Sequence, residues 1–459
     1  MASTMDPAER RRRRQLAVEK LAKMLGKDSA SIDVSDTSSG DETEAANALF
    51  RRDLLRVIRE PRIAEAMVGD LGEEFWSNTC AREPRSARRK GAPIDPRPSF
   101  FASGVTNAGE LLAELAEEGF GVVSAPEFGR TSGGGDGGFV NMAAESVEAV
   151  VSRGWPAVFC FMVEAPWRVL EGAAWASAAA VLGEDCVLEP TVYAWHVAPG
   201  APPREQKDTV VHHAEHANVH ANFPIPHRDY SFSEAHFSHE LPSTVERARG
   251  SFELGEEPSL LCAWIPLTDA STTSGCLNFL PKEFDAGWRD GEEGGGDHLR
   301  AATIQKASGA ASAPVVELRF DLSGARAAPV AAGDIVLWHG STIHWGGKCS
   351  KRSTRSRISL GCTFRSAKAQ DGACFTGGTC LPRPNSEGVI EEVEIESRQG
   401  LSYTAAEETP LHRTIWPPPL SARIVLVLRS ILLYARWFEL EPGLFPPTFH
   451  SALRHALAE

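Results

Sequence analysis

From residue 107 onward the chain shifts from one hydrophobic period to another. Residues 107–118 place Leu111, Leu112 and Leu115 on one side of a helix, Gly119 stops it, and 120–124 reads as a short strand. Residues 165–182 are again helical in pattern, with Pro166 in the first turn, where a missing N–H costs nothing. After that the apolar runs shorten to strand length and recur between turns, at 187–197, 259–267, 276–280, 315–320, 334–338 and 355–364. Alternation is strict in the last of these. Ile358, Leu360, Cys362 and Phe364 take one face, and Arg355, Arg357, Ser359, Gly361 and Thr363 take the other. Such a strand suits a sandwich wall, with an apolar face for a helical layer and an arginine-bearing face toward a polar cavity. Residues 419–437 return to the helical period with Ile424, Leu428, Ile431 and Leu432 on one side. The whole pattern predicts a mainly β fold with α, a β-sandwich or barrel with helices docked on it.

The N-terminal part reads differently. Residues 8–25 are a charged helical pattern, 29–44 are rich in Ser, Asp, Thr and Glu and predict a mobile linker, 45–67 are helical again, and 81–98 form a basic, proline-containing connector. We therefore expect three parts: 1–95 as a partly disordered extension, 96–385 as the β-rich domain, and 386–459 as a C-terminal helical segment docked on it. The Gly-rich stretch 131–138 lacks both the Lys-Ser/Thr of a phosphate loop and G-x-G-x-x-G spacing, so it reads as a surface loop.

Charge and cysteine usage narrow the class. With 47 basic and 61 acidic residues the net charge is −14, which argues against a nucleic-acid binder. The nine cysteines contain no C-x-x-C pair, so neither a disulfide framework nor a structural zinc site is expected, and a reducing, cytoplasmic setting fits. The most apolar stretch, 424–435, is broken by Arg429 and falls short of the ~20 residues of a transmembrane span. The basic run 10–14 is followed by no apolar core of a secretory signal.

Candidate chemistry begins at His227-Arg228-Asp229, the one H-x-D among fourteen histidines. On an extended segment residues i and i+2 project from the same face, so an imidazole and a carboxylate converge there on one ion and need a further ligand from elsewhere. The same tripeptide opens a kinase catalytic loop, but position 234 is Glu where that loop has Asn, and no nucleotide loop, V-A-I-K or D-F-G accompanies it. Downstream come Ala263-Trp264-Ile265-Pro266-Leu267-Thr268-Asp269, Ser274-Gly275-Cys276-Leu277, Gly333-Asp334, His344-Trp345-Gly346-Gly347 and Arg357-Ile358-Ser359.

In that order, from about Gly119 to Phe364, these pieces resemble the phytanoyl-CoA dioxygenase family of Fe(II)- and 2-oxoglutarate-dependent oxygenases. The resemblance implies a double-stranded β-helix (jelly-roll) core flanked by helices. It implies that His227, Asp229 and His344 are the metal ligands, a facial triad that leaves positions open for 2-oxoglutarate and O2. The far carboxylate of 2-oxoglutarate calls for a bidentate cation, which favours arginine. Arg357 fits one branch of the family and Arg355 the spacing of another, with Arg357 ranked first. Trp264 matches a position that packs on the co-substrate, and it also suits a plain core aromatic. The implied reaction decarboxylates 2-oxoglutarate to succinate and hydroxylates a C–H bond of a small-molecule or acyl substrate, with ascorbate as possible reductant. The carboxylate of Asp229 favours hydroxylation over halogenation, since halogenating relatives lack it.

Three further readings accompany this one. His339 is the substitute ligand if His344 is not one. His212, His213, His216 and His220 lie in a polar stretch that reads as a loop over the site rather than a second metal site. The runner-up function is a catalytically inactive jelly-roll scaffold, and a zinc hydrolase on the same triad is a third. Nothing in the sequence sets an oligomeric state.

Overall fold

Eleven strands lie among the described residues: β1 (Gly104–Val105), β2 (Phe120–Val123), β3 (Val187–Val197), β4 (Leu260–Pro266), β5 (Leu277–Phe279), β6 (Ala302–Gln305), β7 (Val315–Leu318), β8 (Arg326–Ala328), β9 (Ile335–His339), β10 (His344–Gly346) and β11 (Arg357–Arg365). The structure, a computed structural model, describes residues 39–81, 104–105, 108–124, 138–200, 226–230, 232–235, 258–288, 302–305, 315–318, 320–366, 417–434, 440 and 442–458. Six strands form the main sheet in the order β1-β2-β9-β4-β11-β3, three form a second in the order β10-β5-β8, and β6 pairs with β7. Only β1 and β2 run parallel; the other described pairs are antiparallel.

The two faces of the main sheet differ as the alternation in β11 predicts. Ile358, Leu360, Cys362 and Phe364 enter a large apolar cluster with the helices, where Phe364 meets Trp175 at a ring distance of 5.3 Å. The opposite face carries Cys262 and Trp264 of β4 and Val336 and Trp338 of β9, and it packs on Phe279 and Ala328 of the second sheet. Phe120 and Phe279 stack across that gap at 4.4 Å. Being covered on both sides, β4 and β9 are apolar along their length, as buried strands must be. The outer edge, β3, is covered by the Leu420–Tyr434 helix, where Ser430 Oγ accepts the Val192 N–H at 2.7 Å.

The structure departs from expectation in two places. Helices Ser39–Arg59, Pro61–Asp70 and Glu73–Cys80 do not stand apart from the body: Leu54, Val57, Met67 and Trp76 are fully buried in the same cluster as Leu360 and Phe364. The first of these helices begins at Ser39, inside the stretch expected to be a linker. A Ser-, Asp- and Glu-rich stretch suits the start of a helix as well as a linker, because acidic residues early in a helix complement its dipole. Second, β11 begins at Arg357, and Arg355 lies in the bend before it, exposed. The expected sharing of one face by the two arginines is therefore not realised. Residues 8–25 and 386–416 lie outside the described residues.

Candidate metal centre

His227 sits on a short extended segment that pairs with β10. The His227 N–H donates to His344 O at 3.1 Å and the His344 N–H returns to His227 O at 2.9 Å. Residues that exchange both backbone bonds hold their side chains next to each other, and the two imidazoles have ring centroids 4.4 Å apart. Asp229, two residues on, projects to the same side. Its Oδ1 is 3.6 Å from His227 Nε2 and its Oδ2 is 3.5 Å from His344 Nε2. One donor atom from each of the three residues lies within 4.8 Å of the others, and no second group of this kind occurs among the described residues.

The surroundings set both orientation and charge. His344 Nδ1 lies 3.0 Å from Thr342 O, a pure acceptor, so Nδ1 carries the proton and the Nε2 lone pair faces Asp229 and His227. Burial lowers the His344 imidazole to about 4, against the pull of Asp229, so it is neutral at neutral pH, as a metal ligand must be. Burial alone would raise the Asp229 carboxyl. The neighbouring imidazoles, His344 first, outweigh burial and hold it well below the usual carboxylate range. The Trp338 indole N–H, donated to Asp229 Oδ2 at 3.1 Å, acts in the same direction. Trp338 and Phe279 also wall His344, at ring distances of 4.7 and 5.9 Å. Both imidazoles are buried, whereas 31% of the Asp229 side chain is exposed, so the cluster opens on its carboxylate side.

Further along the inner face of β11, Arg357 is buried at 2% exposure. Its guanidinium carbon lies 5.7 Å from the centre of the Trp264 ring, and its Nη1 donates to Gly275 O at 2.7 Å. Ser359 follows on the same face, and Trp264 lies opposite Gly361. The Ser359 hydroxyl and the Trp264 indole N–H are both buried and have no hydrogen-bond partner among the described residues. Arg355, by contrast, offers its backbone carbonyl to Ser353 and leaves its side chain exposed. His339, the last residue of β9, accepts the Ser341 N–H on Nδ1 at 3.1 Å and packs on Trp288, just before the turn that leads into β10. The His212–His220 stretch lies outside the described residues.

The family model described as Phytanoyl-CoA dioxygenase (PhyH) matches residues 179–358, which contain His227, Asp229, Trp264, His344, Arg355 and Arg357. That segment is similar to the phytanoyl-CoA dioxygenase family over somewhat less than half of the chain. The chain is an enzyme of the iron- and 2-oxoglutarate-dependent class. No curated protein matches the sequence. Among solved structures, the chain is similar to the non-heme alpha-ketoglutarate-dependent epimerase SnoN from nogalamycin biosynthesis, at 16% identity, 64% coverage of this chain and 93% of that one, with a TM-score of 0.34. The apo form of the non-heme monooxygenase ThoJ follows at 13%, 59%, 82% and 0.35. EvdO2 from Micromonospora carbonacea var. aurantiaca follows at 15%, 58%, 94% and 0.31. At TM-scores this low the likeness says nothing about the reaction of this chain.

Within the segment that the family model matches, reading the sequence missed Trp338 and Cys262. The first donates to Asp229, and the second lies close enough for a thiol hydrogen bond to the same carboxylate. Each is an inward position on an apolar strand, where an aromatic ring or thiol reads as core. The one available signal was that Trp338 directly precedes the His339 turn. Beyond Cys262 a buried polar chain continues: Thr363 donates to its sulfur at 3.8 Å and bonds Tyr230, and Arg365 pairs with Glu189.

Proposed function

We propose that this protein is an Fe(II)- and 2-oxoglutarate-dependent dioxygenase that hydroxylates a C–H bond of a small-molecule or acyl substrate while 2-oxoglutarate is converted to succinate and CO2. The observation that carries this reading is the convergence of His227, Asp229 and His344, drawn from two distant stretches of chain, with donor atoms within 4.8 Å of one another. Two imidazole nitrogens and one carboxylate oxygen are the donor set of non-haem iron, and three ligands leave room for others. When bound, Fe(II) with 2-oxoglutarate and O2 supplies the oxidising power, and ascorbate keeps the metal reduced.

The remaining roles belong to the chain itself. Asp229 stays a carboxylate because Trp338 and the imidazoles favour its charged form, so it is ready to ligate without first losing a proton. Arg357 offers a buried fork over Trp264, next to the Ser359 hydroxyl and Trp264 N–H, which have no hydrogen-bond partner among the described residues. A buried cation with orphaned donors beside it suits an anionic ligand, and the far carboxylate of 2-oxoglutarate meets that description. We read the two facing sheets as the halves of a jelly roll, residues 96–385 as the oxygenase domain, and 386–459 as its docked C-terminal segment.

Succinate release from 2-oxoglutarate with Fe(II) and ascorbate tests the reading, comparing wild type with Asp229→Ala. Turnover in the wild type and background in the variant is the expected result. Equal background in both would leave a binding scaffold. Where the wild type turns over, mass spectrometry of metabolite extracts for products heavier by one oxygen identifies the substrate.

A further inference from the structure

We propose that Arg228 is a positioning residue that fixes the two ligand-bearing segments against each other through a buried, bidentate ion pair with Asp285. This rests on the metal-centre reading above. Arg228 lies between His227 and Asp229, so its side chain leaves the extended segment on the side away from theirs and does not reach the metal ligands. It donates from Nη1 to Asp285 Oδ2 at 2.5 Å and from Nη2 to Asp285 Oδ1 at 2.9 Å. A third bond runs from Nη1 to Ser341 O at 2.6 Å, on the turn that delivers His344. Arg228 and Asp285 are each 7% exposed.

That third bond has a reason in the backbone. His227 pairs with His344, but the next rung joins the Tyr230 N–H to Gly340 O at 3.1 Å. Three steps along one segment thus face four along the other, a register slip of the kind a bulge makes. A slip frees carbonyls from the ladder, and a buried carbonyl needs a donor. Arg228 supplies one to Ser341. The guanidinium therefore touches both sides of the slipped ladder and is itself gripped by a third element.

That element is held by its own hydrogen bonds. Asp285 Oδ1 also accepts the Gly287 N–H at 3.0 Å, the Asp285 N–H reaches Lys282 O at 3.1 Å, and Asp285 O accepts from Trp288 N at 3.0 Å. Position 287 is glycine where an added Cβ would sit 3.1 Å from Arg228 Nη2, so the absence of a side chain lets the fork approach. Lysine cannot reproduce two parallel bonds plus a third in this plane.

Cobalt(II) binding to the full chain tests the proposal, read as affinity and as the visible d–d spectrum. The panel is wild type, Asp229→Ala, Arg228→Lys and the double variant Arg228→Met/Asp285→Leu. The double variant removes both charges together, which leaves no unpaired buried ion. The expected result is a folded double variant that binds cobalt about 10–100-fold more weakly than wild type, with a shifted band, and Arg228→Lys in between. A pair serving stability alone would change the melting temperature and leave affinity and spectrum as in wild type, and that result overturns the proposal. Should the double variant not fold, wild-type affinity and spectrum in Arg228→Lys overturn it equally. If wild type binds cobalt no better than Asp229→Ala, it is the metal-centre reading that fails, and the positioning role falls with it.

Discussion

Trp338 and Asp229 are joined by a 3.1 Å bond from the indole N–H to Oδ2, while the same indole lies 4.7 Å from the His344 ring. One side chain of β9 thus orients the carboxylate and backs one of the imidazoles. Phenylalanine at 338 would keep the wall and delete the donor. We expect Trp338→Phe to weaken metal binding by about 10-fold or more while costing only about 1 kcal/mol of stability. Manganese titration calorimetry beside urea unfolding measures both, and unchanged affinity in the variant would remove Trp338 from the centre.

Arg357 and Arg355 make opposite predictions. Arg357 is buried over Trp264 and bonded to Gly275 O, whereas the Arg355 side chain is exposed in the bend before β11. Truncating a buried, hydrogen-bonded charge at a ligand contact costs about 2 kcal/mol or more, roughly a 30-fold rise in KM for 2-oxoglutarate. Arg357→Leu should show that rise without losing metal affinity, and Arg355→Ala should stay within about two-fold of wild type. The reverse assignment would follow if the KM effect appeared in Arg355→Ala alone.

How far the sequence could be read depended on the period and on where partners lie. Strict alternation made β11 legible, with Ile358, Leu360, Cys362 and Phe364 on the helix-facing side. His227 and Asp229 were legible because an extended segment repeats every two residues, and His344 only through a resemblance in motif order. The clamp between Arg228 and Asp285 was not legible, since nothing local in either residue points to a partner 57 positions away. Arg355 and Arg357 have the same parity, and only the place where the strand begins separates them. The Phe139–Ser152 helix, with Val140, Ala143, Val147 and Val150 on one buried face, is absent from the sequence reading, which describes only the glycine run before it.

The burial of the N-terminal helices yields a stability prediction. Trp76 is fully buried, stacks on Phe159 at 5.5 Å and meets Trp155 edge-on at 4.8 Å, in the cluster that also holds Phe364. Trp76→Ala should cost about 3–5 kcal/mol, as large-to-small changes at such sites do. Deletion of residues 1–81 strips Leu54, Met67 and Trp76 from that core together, so the remainder should expose apolar surface and aggregate. Urea unfolding of the point variant and gel filtration of the truncation check this. A monomeric, cooperatively folding truncation would show that these helices are dispensable to the core.

Glu114 gives the fold a pH dependence of its own. The half-buried carboxylate lies over Gly121 and accepts the Val122 N–H at 3.2 Å, with Glu118 and Glu110 one turn away on either side. Burial, opposed by the Val122 bond and aided by the two glutamates, raises it from 4.5 to about 7. Between those values the folded chain holds a proton that the unfolded chain has released. The resulting stability is complete below 4.5 and is lost as pH rises through 7. The loss is about 2 kcal/mol once partial exposure is allowed for. Glutamine keeps the carbonyl acceptor for Val122 and never ionises. Glu114→Gln should therefore match wild type near pH 4.5 and exceed it by about 2 kcal/mol at pH 8. Other acidic groups, such as Glu60, pull the absolute curve the opposite way, so the difference between variant and wild type is the quantity to measure. A variant less stable than wild type at pH 8 would mean that the ionised carboxylate stabilises this turn.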